Sequence, residues 1–433
     1  MTAEIAILNK EAVALAADSA VTMEGEAGEK IFTSANKLFT LSKYHPIGVM
    51  IYGNALFMDI PWETIVKSYR NKLGSKQFSK LEEYANDLIS FLDNGNPMFP
   101  DLVQKNFVHA NIYGYFTLIK NEIKREIATI INNEGKVSIK KVKRQVSDVI
   151  ERHCKSWREA DIIPSISKDF AQSIIERHGK IIDLAIKEIF EKLPISKAES
   201  GCLKEIATSL FSKFPEEVEK KSVSGVVVAG FGEKDTFPSI KAFDLEGVVN
   251  DRLIYREIYS RHIDFSTTAA IRPFAQREMV STFMEGIDPD LANYMMGYLS
   301  EIFNKYPEII ISEIKVIDDN QRDALTAKLK KASKKIFKDY QQAMQMQIKK
   351  DYVDPVIKVV EMLPKNELAE MAETLVSLTS FKRKVTMERE TVGGPIDVAV
   401  ISKGDGFIWI KRKHYFKTEL NPQFLANYYG GKK

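Results

Sequence analysis

Thr2-Ala-Glu-Ile-Ala-Ile-Leu-Asn-Lys-Glu-Ala-Val-Ala-Leu-Ala-Ala-Asp18-Ser-Ala-Val-Thr22-Met23 is the stretch whose reading decides the fold. β-like runs at Glu4 to Leu8 and Ala12 to Ala17 flank the polar turn Asn9-Lys10-Glu11. That is the pattern of a strand, a tight turn and a second strand. A small residue after Met1 makes trimming of that methionine expected. Thr2 would then carry a hydroxyl nucleophile and a free α-amine on one residue. An N-terminal amine that activates its own Thr hydroxyl is a route to covalent catalysis. Its unperturbed pKa of about 7.7–8.0 suits a general base near neutral pH. Met-Thr alone is also a common start, so the rest of the sequence must decide.

The whole chain has 433 residues, more than one usual domain of about 100–200. Hydrophobic residues make up 44% and charged residues 28%, as in a soluble globular protein. No uninterrupted apolar run nears the ~18 residues of a membrane span, so no membrane partner is expected. Glu4, Lys10, Glu11 and Asp18 interrupt the first 20 residues, which argues against a secretory signal. Two cysteines, Cys154 and Cys202, do not make a disulfide framework and suit a reducing cytoplasm. A net charge of +3 gives no support for nucleic acid as the main partner.

Ile65, Val66, Tyr69 and Leu73 recur at helical spacing after Pro61-Trp62, and a second helix follows over Lys80 to Leu92. Asn94-Gly95-Asn96-Pro97 breaks the pattern. The next hundred or so residues read as charged helices, among them Leu118 to Asn132, Val142 to His153 and Phe170 to Leu193. The β pattern resumes at Val223. Pro273 to Met284 reads as a helix that starts at its proline. A further helical stretch includes Ala324 to Lys349. Asn366 to Phe381 reads as another helix, with Asn366 as N-cap and Leu368, Met371, Leu375 and Leu378 on one face.

In order along the chain, these blocks resemble a proteasome β subunit, a member of the N-terminal nucleophile (Ntn) hydrolases. The resemblance rests on Thr2 and its hairpin, on Ala17-Asp18-Ser-Ala-Val-Thr22-Met23, on Asn36-Lys37-Leu38-Phe39-Thr40-Leu41 and on Gly48-Val-Met-Ile-Tyr-Gly53-Asn-Ala55. Downstream, Gly225 to Gly232 with Ser239 to Gly247 resembles the family's central hairpin, and Gly393 to Ile410 its last one. Strands, then helices, then strands suggest stacked sheets flanked by helices. The resemblance implies an α+β, four-layer αββα sandwich. Residues 2–93, 222–287 and 364–411 would form this core. Residues 94–221 and 288–363 would be helical insertions, and 412–433 a C-terminal extension.

The resemblance also implies a site. Thr2 is the nucleophile, Lys37 the cation that lowers the amine's pKa, and Asp18 the anion that lets a buried lysine stay charged. Lys30 is a decoy, because Leu-Phe-x-Leu follows Lys37 instead. Gly53 offers an oxyanion N–H, for which a residue without a side chain permits close approach. Thr22 matches the residue whose backbone pairs with an extended substrate. Val21, Ile51 and Ala55 match the first specificity pocket. The Asp and two Ser that support the amine in the family are altered: Ala270 and Val392 stand at the Ser positions, with Glu390 and Thr391 as candidate replacements.

The function implied is a cytoplasmic threonine protease that hydrolyses peptide bonds by acyl transfer, with no cofactor and no metal. A polypeptide or peptide is the expected substrate. A homo-oligomer is expected, a ring being one form of it, and an ATP-dependent unfoldase is a candidate partner. An inactive proteasome-like scaffold and a small-molecule Ntn amidase are the alternatives. The remaining signals read as structural. The six histidines show no zinc-ligand spacing. His153-Cys154 are adjacent on a helix and so point apart. Gly230-Phe-Gly232 is a hairpin turn, and the basic run Lys328 to Lys338 a solvated helix face.

Overall fold

A computed structural model describes residues 2–25, 28–167, 169–214, 223–314, 318–387, 392–423 and 426. Glu390 and Thr391 lie outside the described residues. The chain begins with the hairpin β1 (Ala3–Asn9) and β2 (Ala12–Ala17), followed by β3 (Val21–Gly25), β4 (Gly28–Phe32), β5 (Leu38–Thr40) and β6 (Ile47–Gly53). The short strands β7 (Leu56–Phe57) and β8 (Ile60–Pro61) precede α1 (Trp62–Leu73) and α2 (Leu81–Leu92). Next come α3 (Asp101–Glu134), α4 (Ile139–Glu159), β9 (Asp161–Ile162), α5 (Phe170–Phe190), α6 (Lys197–Ser209) and β10 (Lys213–Phe214). The strands β11 (Ser224–Gly230), β12 (Ser239–Val249), β13 (Arg252–His262) and β14 (Ala269–Ala275) follow. The helices α7 (Glu278–Glu285), α8 (Pro289–Glu313), α9 (Asp319–Ile348), α10 (Asp354–Met362) and α11 (Lys365–Val385) precede the last hairpin, β15 (Asp397–Ser402) and β16 (Gly406–Lys411).

The fold is α+β with antiparallel sheets. One five-stranded sheet has the order β14-β1-β2-β15-β16, the other β13-β12-β11-β6-β5. The first hairpin closes because Asn9 Oδ1 accepts the N–H groups of Glu11 and Ala12, at 3.0 and 3.1 Å, a side-chain mimic of a backbone turn. β1 and β2 are buried on both faces. By the period of two, Ala6 and Leu8 face one way and Ile5 and Ile7 the other. Ala6 and Leu8 pack with Met50, Tyr52, Val227 and Ala242 of the second sheet. Ile5 and Ile7 pack with Leu368, Ala372 and Leu375 of α11. On its other face the second sheet packs Val49, Val226 and Phe243 against Trp62 and Tyr69 of α1 and Leu88 of α2. The helices α3 to α6 share a cluster that includes Ile150, Trp157, Phe190 and Phe211, joined by Val249 of β12 and Ile254 of β13.

Three sequence expectations are corrected. Pro273 does not start a helix. It lies in β14, opposite Ile5, and β14 is an edge strand, where a missing N–H leaves no ladder bond unmade. The helix begins only at Glu278. Asn366 is not the cap of α11, because Pro364 takes that position and Asn366 lies inside the helix. On that helix Leu368 and Leu375 are buried, whereas Leu378 is exposed.

Candidate active site

Thr2 and Glu4 occupy the same face of β1 as Ala6 and Leu8, the face turned toward the second sheet. Thr2 is 1% exposed and Glu4 2%. Asp18 follows β2, where its N–H continues the ladder to the carbonyl of Ala3 at 3.1 Å. Its carboxylate accepts from the Ala3 N–H at 3.0 Å, the Ala20 N–H at 3.1 Å and the Gly393 N–H at 2.9 Å. Lys37 precedes β5 and is fixed by its own carbonyl, which accepts from the Ile51 N–H at 2.8 Å. The Lys37 ammonium donates to Asp18 Oδ1 at 2.5 Å and lies 3.3 Å from Glu4 Oε1. The structure therefore brings Asp18 and Lys37 together beside the first residues of β1.

Two carboxyl groups thus share one ammonium in a buried site. Asp18 has four donors. Neither Glu4 oxygen has a hydrogen bond of full geometry, and neither does the Thr2 hydroxyl. Burial, opposed by Lys37 and aided by Asp18, raises the Glu4 pKa to about 8. The neighbouring Thr2 hydroxyl acts on the same carboxyl in the opposite sense and, like Lys37, lowers its pKa. Leaving a buried polar group unpaired costs about 1–3 kcal/mol. Burying Ile5, Ile7 and Leu8 contributes about 1.5–3 kcal/mol each, enough to hold Glu4 where it is.

Gly53 ends β6 with φ +79°. A Cβ there would lie 2.3 Å from the Val223 carbonyl oxygen, so glycine is required by contact as well as by backbone angle. Gly53, Val21, Lys37, Ile51 and Ala55 line one small hollow of about 10 Å³. Thr22 lies in β3, where it pairs with Ile31 of β4. Among the described residues β3 pairs with no strand other than β4.

Around Thr2 the sequence reading needs one correction. Ala270 pairs with Leu8, at the far end of β1. Ala275 is opposite Ala3, and the Gln276 N–H donates to the Thr2 carbonyl at 3.2 Å. Gln276 therefore stands beside the residue that Ala270 was expected to approach. Taking Pro273 as a helix start shifted the register. Val392 is buried against Ala3 and Ala16, next to the Gly393 that binds Asp18.

Sequence reasoning missed Glu4. The available signal was its spacing of two from Thr2 in a strand whose flanks are apolar. It also missed Lys413, whose ammonium pairs with the buried Asp397. Burial lowers the pKa of Lys413, and the positive charge of Lys37 adds to the effect.

Ser239 and His262 pair at 2.6 Å beside a larger hollow walled by Lys80, Lys241 and Arg261. The nearby Asp264 is engaged by Ser266 and Thr267 and does not complete a triad. In the α3–α6 cluster, His153 is held by Tyr115 and Glu122 at 2.9 and 2.8 Å. Burial pushes the Cys154 thiol pKa upward, away from nucleophilic use. Among the described residues no group of three or more His, Cys, Asp or Glu could hold a metal ion, and no helix is long and apolar enough to cross a membrane.

No protein-family model matches the chain, and no curated protein is significantly similar to it.

Proposed function

We propose that the chain is a proteasome-like threonine peptidase with the four-layer αββα sandwich of the Ntn hydrolases. One observation carries the reading. The Lys37 ammonium binds Asp18 and lies 3.3 Å from Glu4 on the inter-sheet side of β1, and Lys37 and Gly53 line the same hollow. This is the set of groups that acyl transfer by an N-terminal threonine needs.

The reaction requires cleavage of the Met1–Thr2 bond, which frees the amine. The Thr2 amine takes the proton from Oγ as Oγ bonds to the substrate carbonyl carbon. The Gly53 N–H holds the oxyanion. The ammonium then protonates the leaving amine as the C–N bond breaks, and water hydrolyses the Thr2 ester. Lys37 keeps the amine neutral by charge repulsion. The edge of β3 that pairs with no strand among the described residues suits an extended peptide, and this favours a peptide substrate over a small amide. A cytoplasmic homo-oligomer, in ring form and fed by an unfoldase, belongs to the same proposal.

A second reading is an inactive scaffold. It is favoured by Gln276, whose N–H meets the Thr2 carbonyl, and by the apolar Val392, which packs on the α11 side of β1, because neither brings a hydroxyl to support the amine. Turnover of fluorogenic peptides separates the two. The peptidase reading expects activity in the trimmed protein and a loss of at least about 10³-fold in Thr2→Ala, as for removal of a nucleophile. Equal rates in both proteins would contradict it.

A further inference from the structure

We propose that Glu4 works in its protonated form, as a hydrogen-bond donor to the Thr2 oxygen during attack and as a neutral neighbour that leaves the charge of Lys37 to Asp18. This rests on the threonine-hydrolase reading and adds a positioning residue to it.

The geometry supplies the argument. Glu4 is two residues from Thr2 on a strand, so both side chains share a face. The groups facing the Glu4 carboxyl come from four segments. They are the Thr2 hydroxyl on its own strand, Asp18 after β2, Lys37 before β5 at 3.3 Å, and Tyr52 on β6. Its strand neighbours across the sheet are apolar, Ala17 on β2 and Phe274 on β14. The Tyr52 hydroxyl donates to Asp244 at 2.8 Å and is not available to Glu4. Asp18 is satisfied by four donors and fixes one end of Lys37.

If Glu4 were also ionised, two negative charges would face one positive charge in a dry site. An anion would then stand beside an oxygen that gains partial negative charge as its proton leaves for the amine. Repulsion would raise the barrier to attack. A neutral carboxyl reverses this: its O–H can donate to the developing charge, as a carboxylic acid kept protonated by its surroundings can. Its raised pKa, about 8, agrees with this state at neutral pH.

The test measures the rate at which a peptide epoxyketone modifies Thr2, from pH 6 to pH 10, in the trimmed full-length protein and in Glu4→Gln. The glutamine amide still donates but cannot ionise. The wild-type rate should rise as the Thr2 amine loses its proton, then fall about tenfold or more as pH passes through about 8. Glu4→Gln should keep the neutral-pH rate within about threefold and hold a plateau above it. Parallel profiles would overturn the Glu4 role alone. So would a collapse of the Glu4→Gln rate at neutral pH with its melting temperature retained. No adduct on wild-type Thr2 at any pH would remove the threonine-hydrolase reading and this role with it.

Infrared spectroscopy of the wild type decides the matter even if the variant does not fold. A carboxylic-acid carbonyl band present at pH 7 and lost by pH 9 supports the role, and its absence at pH 7 overturns it.

Discussion

The residues at the start of β1 set the behaviour of the site. Glu4 has a folded pKa raised from 4.5 to about 8. The folded state therefore holds a proton that the unfolded chain releases, and stability falls as pH rises between these values. The contribution is fully present below pH 4.5 and is lost as pH passes about 8. The melting temperature of the wild type should drop across this range more steeply than that of Glu4→Gln, and equal slopes would refute the shift. Gly53→Ala should cost about 1–3 kcal/mol in denaturant melts, from a left-handed backbone angle and the 2.3 Å approach to Val223. A neutral result would mean that β6 and Val223 separate easily. The positions of Thr2, Asp18, Lys37 and Gly53 beside strand ends were legible because the strands themselves are readable. Glu4 was not, because one acid in a short alternating run reads as a solvent-facing residue, and only burial of both faces of β1 shows otherwise.

At the scale of elements, what could be read depended on competing local signals. The hairpin of β1 and β2 follows from its apolar runs and its Asn turn. The helices α1, α2 and α5 follow from spacing and breakers. Pro273 misled because proline starts helices and also tolerates sheet edges, and only pairing across the sheet decides between these. Taking it as a helix start moved Ala270 toward Thr2 and hid Gln276. The helices α3 to α6 build a cluster that meets the second sheet only through Val249 and Ile254 among its buried residues, so a cavity there should be felt mainly in the helices. Ile150→Ala should destabilise by about 2–5 kcal/mol. Hydrogen exchange should quicken in α4 and α6 more than in β1 and β2. Equal quickening in both would show that the helical cluster and the sheets unfold as one unit.

At the scale of the whole molecule, the fold is α+β with two five-stranded antiparallel sheets that share a buried cluster. The proposal expects a homo-oligomer, because such peptidases enclose their sites. Multi-angle light scattering at micromolar concentration should give a mass that is a whole multiple of the chain, and a monomer would remove the enclosed-chamber part of the account. In the proposed reaction the nitrogen and the hydroxyl of Thr2 act together once Met1 is gone. The most direct measurement is mass spectrometry of the protein after treatment with a peptide epoxyketone, whose ketone takes the hydroxyl and whose epoxide takes the amine. The account expects loss of Met1, one adduct mapped to Thr2 and no adduct on Thr2→Ala. Retained Met1, or an adduct that persists on Thr2→Ala, would contradict it.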